Sequence, residues 1–205
     1  MLSNITPVEI LIIIGVLLVS MTIHEAMHAF VGLKLGDDTA AEQGRVSLNP
    51  LQHIDPFMTV ILPAITLILF QAPILAAKPV PFNPDRVKYD EFGAAMIAAA
   101  GPLSNLGLAI IGAVFAQIVM PTGVLGDITS IFVFLNVSLF VFNLIPIPPL
   151  DGSRVLYAFA PEPLQRFMAQ IEPYGFFIIV GLVLAGGLGT LITHLNSSVL
   201  RLLIG

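Results

Sequence analysis

"EILIIIGVLLVSMTIHEAMHAF", residues 9–30, carries two signals in one stretch. Positions 10–23 are apolar apart from small or hydroxyl-bearing residues. That is the pattern of a helix crossing a bilayer, which takes about 20 mostly apolar residues. His24, Glu25 and His28 follow with no break in the pattern. An ionised group at the centre of a membrane helix costs about 2.5–3.5 kcal/mol on insertion scales. Three ionisable side chains in five positions therefore point to function.

The rest of the chain agrees with the first reading. Of 205 residues, 57% are hydrophobic and 10% charged, whereas a soluble domain has about a quarter charged. Uncharged runs cover 57–77, 92–126, 128–150 and 173–200. The expectation is an all-α integral membrane protein. It would be a polytopic helical bundle with about four full spans, a re-entrant hairpin and short extended segments near the active site. One membrane-embedded domain would fill 1–205, with its core at about 8–160 and a last span at about 173–200. The net charge of −5 is scattered, so no basic patch supports binding of nucleic acid. The chain has no cysteine, which excludes disulfides and thiolate metal sites. The first nine residues hold no Lys or Arg, so a cleaved signal peptide is not expected.

His24 and His28 are four apart and share one helix face, so two imidazole nitrogens can meet one ion. Glu25 lies about 100° round the helix from His24, within reach of a water on that ion. HExxH is the zinc-protease pattern, with the Glu as general base. The competing reading is a chance match with histidines hydrogen-bonded inside a bundle. A catalytic zinc usually takes a third protein ligand and leaves a position for water. The best candidate is Asp151 in "FNLIPIPPLDGSRVL", residues 142–156. Prolines 146, 148 and 149 cannot continue a regular helix, and irregular backbone at membrane depth is tolerated where it is buried or lines a cavity. The competing role for Asp151 is capping a helix that starts near Gly152.

HEAMH together with NLIPIPPLDG resembles the site-2 protease family of intramembrane zinc metalloproteases. "AAAGPLSNL", residues 98–106, resembles the small-residue and Asn motif of the family's intervening helix. "GRVSLNPLQHIDP" and "AKPVPFNP" resemble its compact prokaryotic branch without a PDZ domain. The match covers about residues 20–160. The resemblance implies one Zn2+ per chain held by His24, His28 and Asp151, with Glu25 as catalytic base. It also implies supporting roles for Asn105 and Asn143 near the substrate. Either Asn can donate to a developing oxyanion or join helices by amide hydrogen bonds. Gly101, with Ala98 and Ala99, fits close helix approach better than catalysis. His53 fits a hydrogen-bonded loop histidine better than a second metal site. His194 fits an interfacial position.

The function expected is an intramembrane zinc endopeptidase acting on membrane-spanning protein substrates within the lipid bilayer. Two alternatives remain at this point: a catalytically silent relative that sequesters membrane proteins, and a metal transporter. A helical substrate hides its peptide bonds, so it must unwind. Extended segments at 45–48 and 78–83 are candidate clamps by strand addition. Val80 and Phe82 share the edge that keeps its N–H donors, and that edge would receive the substrate or the 45–48 segment. If residues 57–77 form a re-entrant hairpin, seven of the eight Lys and Arg share one side with the zinc site. The positive-inside rule then places that side in the cytoplasm and both termini outside.

Overall fold

A computed structural model of the chain describes residues 6–55 and 80–205. Helix α1 (Pro7–Lys34) opens on a capping box. Thr6 Oγ1 accepts from the Glu9 N–H at 3.2 Å, and Glu9 Oε2 accepts from the Thr6 N–H at 2.7 Å. Pro7 sits where a missing N–H costs nothing. A short helix α2 (Thr39–Glu42) and a turn at Pro50–Gln52 follow. A second turn, Pro84–Arg86, leads into α3 (Asp90–Val119) and α4 (Gly123–Asn143). A proline-rich link then enters α5 (Asp151–Phe159), α6 (Glu162–Ile171), α7 (Gly175–Leu184) and α8 (Gly187–Ile204). Among the described residues there is no strand.

Helix α3 packs against α1, α4 and α5. Its buried positions are nearly all small: Gly93, Ala95, Ala98, Ala100, Gly101, Ala109, Gly112 and Ala113. Lipid tails are as apolar as leucine, so membrane helices associate by close backbone approach and interhelical hydrogen bonds. Ala109 and Ala113 meet Val133, Val137 and Val141 of α4, flanked by Val199 and Leu203 of α8. A second cluster, Ile145, Leu150, Ile179 and Leu188, clamps the proline-rich link against α7 and α8. Large apolar side chains such as Leu11, Ile111, Ile118 and Phe177 point outward, as a lipid-facing surface requires.

Four helical stretches are long and apolar enough to cross a membrane: Pro7–Lys34, Asp90–Val119, Gly123–Asn143 and Glu162–Val183. The protein is a polytopic helical membrane protein, as the composition implies. The run expected as a last span, 173–200, is not one continuous helix. That run breaks between α7 and α8 at Gly186, whose φ is 75°. The fourth apolar stretch instead begins at Glu162, where charge counting stops short because Glu162, Arg166 and Glu172 lie inside it. Hydropathy reports what lipid tolerates, whereas the Gly186–Gly187 pair decides where the helix ends. The expected re-entrant hairpin at 57–77 lies outside the described residues, as does Lys78.

Candidate metal centre

His24 and His28 stand one turn apart on α1, edge to face, with ring centroids 4.6 Å apart. Their Nε2 atoms are 3.0 Å from each other. Asp151 Oδ2 lies 3.2 Å from His24 Nε2 and 3.4 Å from His28 Nε2. The far side of each ring settles what these atoms are. His28 Nδ1 is 2.7 Å from the Ile97 carbonyl oxygen. A carbonyl only accepts, so Nδ1 carries a proton and Nε2 is the nitrogen left to face a ligand. His24 Nδ1 is 2.6 Å from Asn105 Oδ1, which has the same consequence. Two imidazole Nε2 atoms and a carboxylate oxygen thus converge on one point, an arrangement that could hold a metal ion.

The separations suit zinc. Tetrahedral ligands bonded at about 2.0–2.1 Å stand about 3.3–3.4 Å apart, and the observed distances of 3.0–3.4 Å lie at or just inside that spacing. The donor set, two neutral imidazoles and one carboxylate, is a zinc set with a position left for water.

Asp151 reaches this point because the chain after α4 is tightly tied. Ile147 N–H donates to the Ile145 carbonyl at 2.8 Å, Leu150 N–H to Ile147 at 2.9 Å and Ser153 N–H to Leu150 at 3.0 Å. Gly152 lies against the Leu144 carbonyl, and a Cβ there would collide with it. Leu150 is the N-cap of α5, and the Asp151 side chain makes no capping hydrogen bond. The capping role is therefore replaced by the contact with the two histidines.

Gly101 of α3 lies against the Nε2 edge of both imidazoles. A Cβ there would stand 2.5 Å from His28 Cε1 and 2.6 Å from His24 Nε2, and closer still to His28 Nε2. The expected close approach is real, and what approaches is the imidazole pair.

In front of the cluster is a cavity of about 420 Å³. Glu25, Val80, Phe82, Asn143 and Arg154 line it together with the three candidate ligands. Glu25 is buried, 9% exposed, beside His24 and on the cavity wall. Arg154 pairs with Glu172 and stands 5.9 Å over the Phe82 ring. Asn143, the last residue of α4, gives one amide N–H to the Leu139 carbonyl at 2.9 Å and keeps a second.

Not every expected residue reaches the cavity. Asn105 does not line it and is fully buried behind His24, with both amide N–H groups already committed. Its place is that of a histidine partner, which leaves Asn143 as the one of the two amides that lines the cavity. The 45–48 segment does not pair with 80–82; no backbone hydrogen bond joins them among the described residues. Val46, Ser47 and Leu48 lie instead across a small groove from Ile23, Ala26 and Phe30 of α1. His53 is a buried loop histidine whose Nε2 donates to the Ser47 carbonyl at 2.8 Å. His194 is exposed on α8.

Sequence reasoning missed Ser20, Asn136 and Asp37. Ser20 lies four residues before His24 and Asn136 seven before Asn143, helical spacings that put each on the functional face. Asp37 is 1% exposed and ties the cavity's rim to α1. Its Oδ2 accepts the Asn83 N–H at 2.7 Å, and its Oδ1 accepts the Thr39 N–H and hydroxyl at 3.0 and 2.5 Å.

Comparison with known proteins bears on this geometry. The model of Peptidase family M50 matches residues 121–186, which carry α4, Asp151 and the helices that follow. "Putative zinc metalloprotease YwhC" of Bacillus subtilis (strain 168) is 39% identical over 173 residues, 80% of this chain and 76% of that protein. The chain belongs to peptidase family M50, the site-2 protease family. "Putative zinc metalloprotease Rip2" of Mycolicibacterium smegmatis is 31% identical over 88% of this chain and 69% of its own length. "Putative zinc metalloprotease MJ0611" of Methanocaldococcus jannaschii is 34% identical over 65% of this chain and 62% of its own. No solved structure matches the chain. Membership of a zinc metalloprotease family agrees with the donor set read from the hydrogen bonds.

Proposed function

We propose that this M50 protein is an intramembrane zinc endopeptidase that hydrolyses peptide bonds of membrane-spanning substrates. The observation that carries the reading is the convergence of His24 Nε2, His28 Nε2 and Asp151 Oδ2 beside Glu25, in a cavity enclosed by membrane-length helices. These three residues would hold one zinc ion. Zinc bound there lowers the pKa of a water towards 7 and polarises a carbonyl. Glu25, one residue along from His24, accepts the water's proton and returns it to the leaving amine. The second amide N–H of Asn143 is placed to stabilise charge on the scissile carbonyl oxygen. Residues 80–83 form no helix or turn, Asn83 is extended, and the N–H groups of Val80 and Phe82 meet no acceptor among the described residues. They offer an unwound substrate the hydrogen bonds its own helix has lost.

Lys34, Arg86 and Lys88 gather where α1 ends and α3 begins, joined by the Lys88 N–H to Leu35 carbonyl bond at 2.9 Å. Arg154 follows three residues after Asp151. The positive-inside rule places this end, and the centre near it, on the cytoplasmic side. Maleimide labelling of a cysteine introduced at position 88, from outside intact cells, would overturn that placement.

The deciding experiment is cleavage of a panel of single-span substrates by the wild type and by Glu25→Gln, with metal content measured for each. The wild type is expected to cleave and to hold about one zinc per chain. Glu25→Gln loses cleavage and keeps zinc, while Asp151→Ala loses both. Full zinc occupancy and activity in Asp151→Ala would remove that residue from the ligand set. A wild type that holds zinc and cleaves nothing in the panel would instead fit a protein that sequesters membrane partners.

A further inference from the structure

Ser20, Asn105 and Asn136 are each 0% exposed, where α1, α3 and α4 meet. Their hydrogen bonds run in one direction. Asn136 Nδ2 donates to the Phe132 carbonyl and to Ser20 Oγ, both at 2.9 Å. Asn105 Nδ2 donates to Asn136 Oδ1 at 3.0 Å and to the Ser20 carbonyl at 3.4 Å. Asn105 Oδ1 is left facing His24 Nδ1 at 2.6 Å.

That direction cannot reverse. The Phe132 carbonyl only accepts, so Asn136 must turn its NH2 towards it and its oxygen towards Asn105. Asn105 must answer that oxygen with its own NH2. The Ser20 carbonyl demands the same of Asn105, but at 3.4 Å its hold is the weaker. Flipping either amide would set two oxygens against each other in a buried site, where an unmet polar group costs about 1–3 kcal/mol. Asn105 Oδ1 therefore stays on His24, whose proton stays on Nδ1.

We propose that Asn136 is a positioning residue: acting through Asn105, it holds the His24 imidazole in the Nδ1–H tautomer with its Nε2 lone pair aimed at the metal. His28 needs no such chain, because the Ile97 carbonyl fixes it directly. A peptide carbonyl has one polarity, whereas a side-chain amide has two and needs a further partner to choose between them. The inference rests on His24 being a metal ligand.

The test uses the full-length protein in detergent, with the variants Asn136→Leu, Asn136→Ala, Asn105→Leu and the double variant Asn105→Leu/Asn136→Leu. Nitrogen-15 NMR of labelled histidine in the metal-free protein reads the tautomer. Chelator competition reads zinc affinity, and the visible spectrum of the cobalt-loaded protein reads ligand geometry. The wild type is expected to show His24 as Nδ1–H. Asn136→Leu should give a tautomer mixture, a shifted cobalt spectrum and zinc affinity lowered about 10–100-fold, as for other partners of metal-bound histidine. Asn136→Ala adds no bulk and should do the same if the Leu variant does not fold. The double variant should bind zinc no more weakly than Asn105→Leu alone, because the two residues act in series. The proposal falls if folded Asn136 variants keep the tautomer, spectrum and affinity while losing only thermal stability, or if the two losses add. A wild type with no affinity for zinc would overturn the peptidase reading and this inference with it, whereas a zinc-binding wild type whose folded Asn136 variants keep its tautomer would overturn this inference alone.

Discussion

The two sides of the cavity are built differently. Behind the metal centre, α1 and α3 meet with no slack. Both imidazoles are hydrogen-bonded on their outer edges, Gly101 leaves no room for a methyl group, and Ser20, Asn105 and Asn136 are closed to solvent. Across the cavity, residues 80–83 form no helix or turn and are half-buried, and the N–H groups of Val80 and Phe82 are free of acceptors among the described residues. A metal needs ligands fixed before it arrives, because looseness there costs affinity directly. A substrate segment brings its own hydrogen bonds, so the surface receiving it is left unpaired. On the proposed function, the contrast would assign the rigid half to the ion and the open half to the peptide.

Gly101→Ala strikes the rigid half hardest. The added Cβ would lie against both imidazoles, so zinc occupancy and cleavage should fall together by more than about 100-fold, beyond the usual cost of disturbing a ligand's outer partner. Gly107→Ala is the control on the same helix, since a Cβ there meets nothing within 4 Å. If Gly101→Ala keeps zinc and activity, the wall is softer than described and the contrast fails.

Next comes the open half. Val80→Pro or Phe82→Pro deletes one N–H donor and should lower cleavage by well over tenfold, if a substrate hydrogen bond there orients the scissile bond. Zinc content should not change. The alanine variants keep the donor and should be milder. Equal cleavage by folded proline and alanine variants would make 80–83 a plain linker.

The smallest effect belongs to the seam that holds the open half in place. Burial pushes the Asp37 carboxyl up, but hydrogen bonds from Thr39 and Asn83 outweigh it and hold the group below its ordinary 3.8. A depressed carboxylate contributes stability above its unfolded pKa and loses it as pH falls through the folded value. Asp37→Asn should therefore cost about 2 kcal/mol at neutral pH, the scale of hydrogen bonds to a charged group. The gap in melting temperature between wild type and variant should close as pH drops below about 4. A gap that stays constant from pH 7 to 3 would mean the charge contributes nothing.

Much of this molecule is legible along the chain. The ligand pair and its base could be read from HEAMH, because i, i+4 spacing on a helix is geometry set within one turn. The helical membrane class followed from composition and apolar runs, because lipid imposes both length and backbone satisfaction on a single segment. Asp151 was legible as a candidate from the proline-rich break before it, though capping remained a competing use for it until its distance to the histidines was known. Other features had no local sign. The uncharged run at 173–200 gave no warning that the chain stops at Gly186 and starts again. Asn105 looked as suited to an oxyanion as to joining helices by amide hydrogen bonds, because a side-chain amide carries both polarities and a sequence does not say which end meets what.

The sequence by itself determined which residues can bind a metal and which segments can lie in lipid, since both follow from side-chain chemistry and spacing within one helix. Only the tertiary structure decided that Gly101 backs the imidazoles, that Asn105 faces away from the cavity, and that a carbonyl on α4 sets the polarity reaching His24. Each of these depends on where one helix lies against another. That placement is fixed by small residues allowing contact and buried amides finding partners across the interface, and neither leaves a periodic mark along the chain.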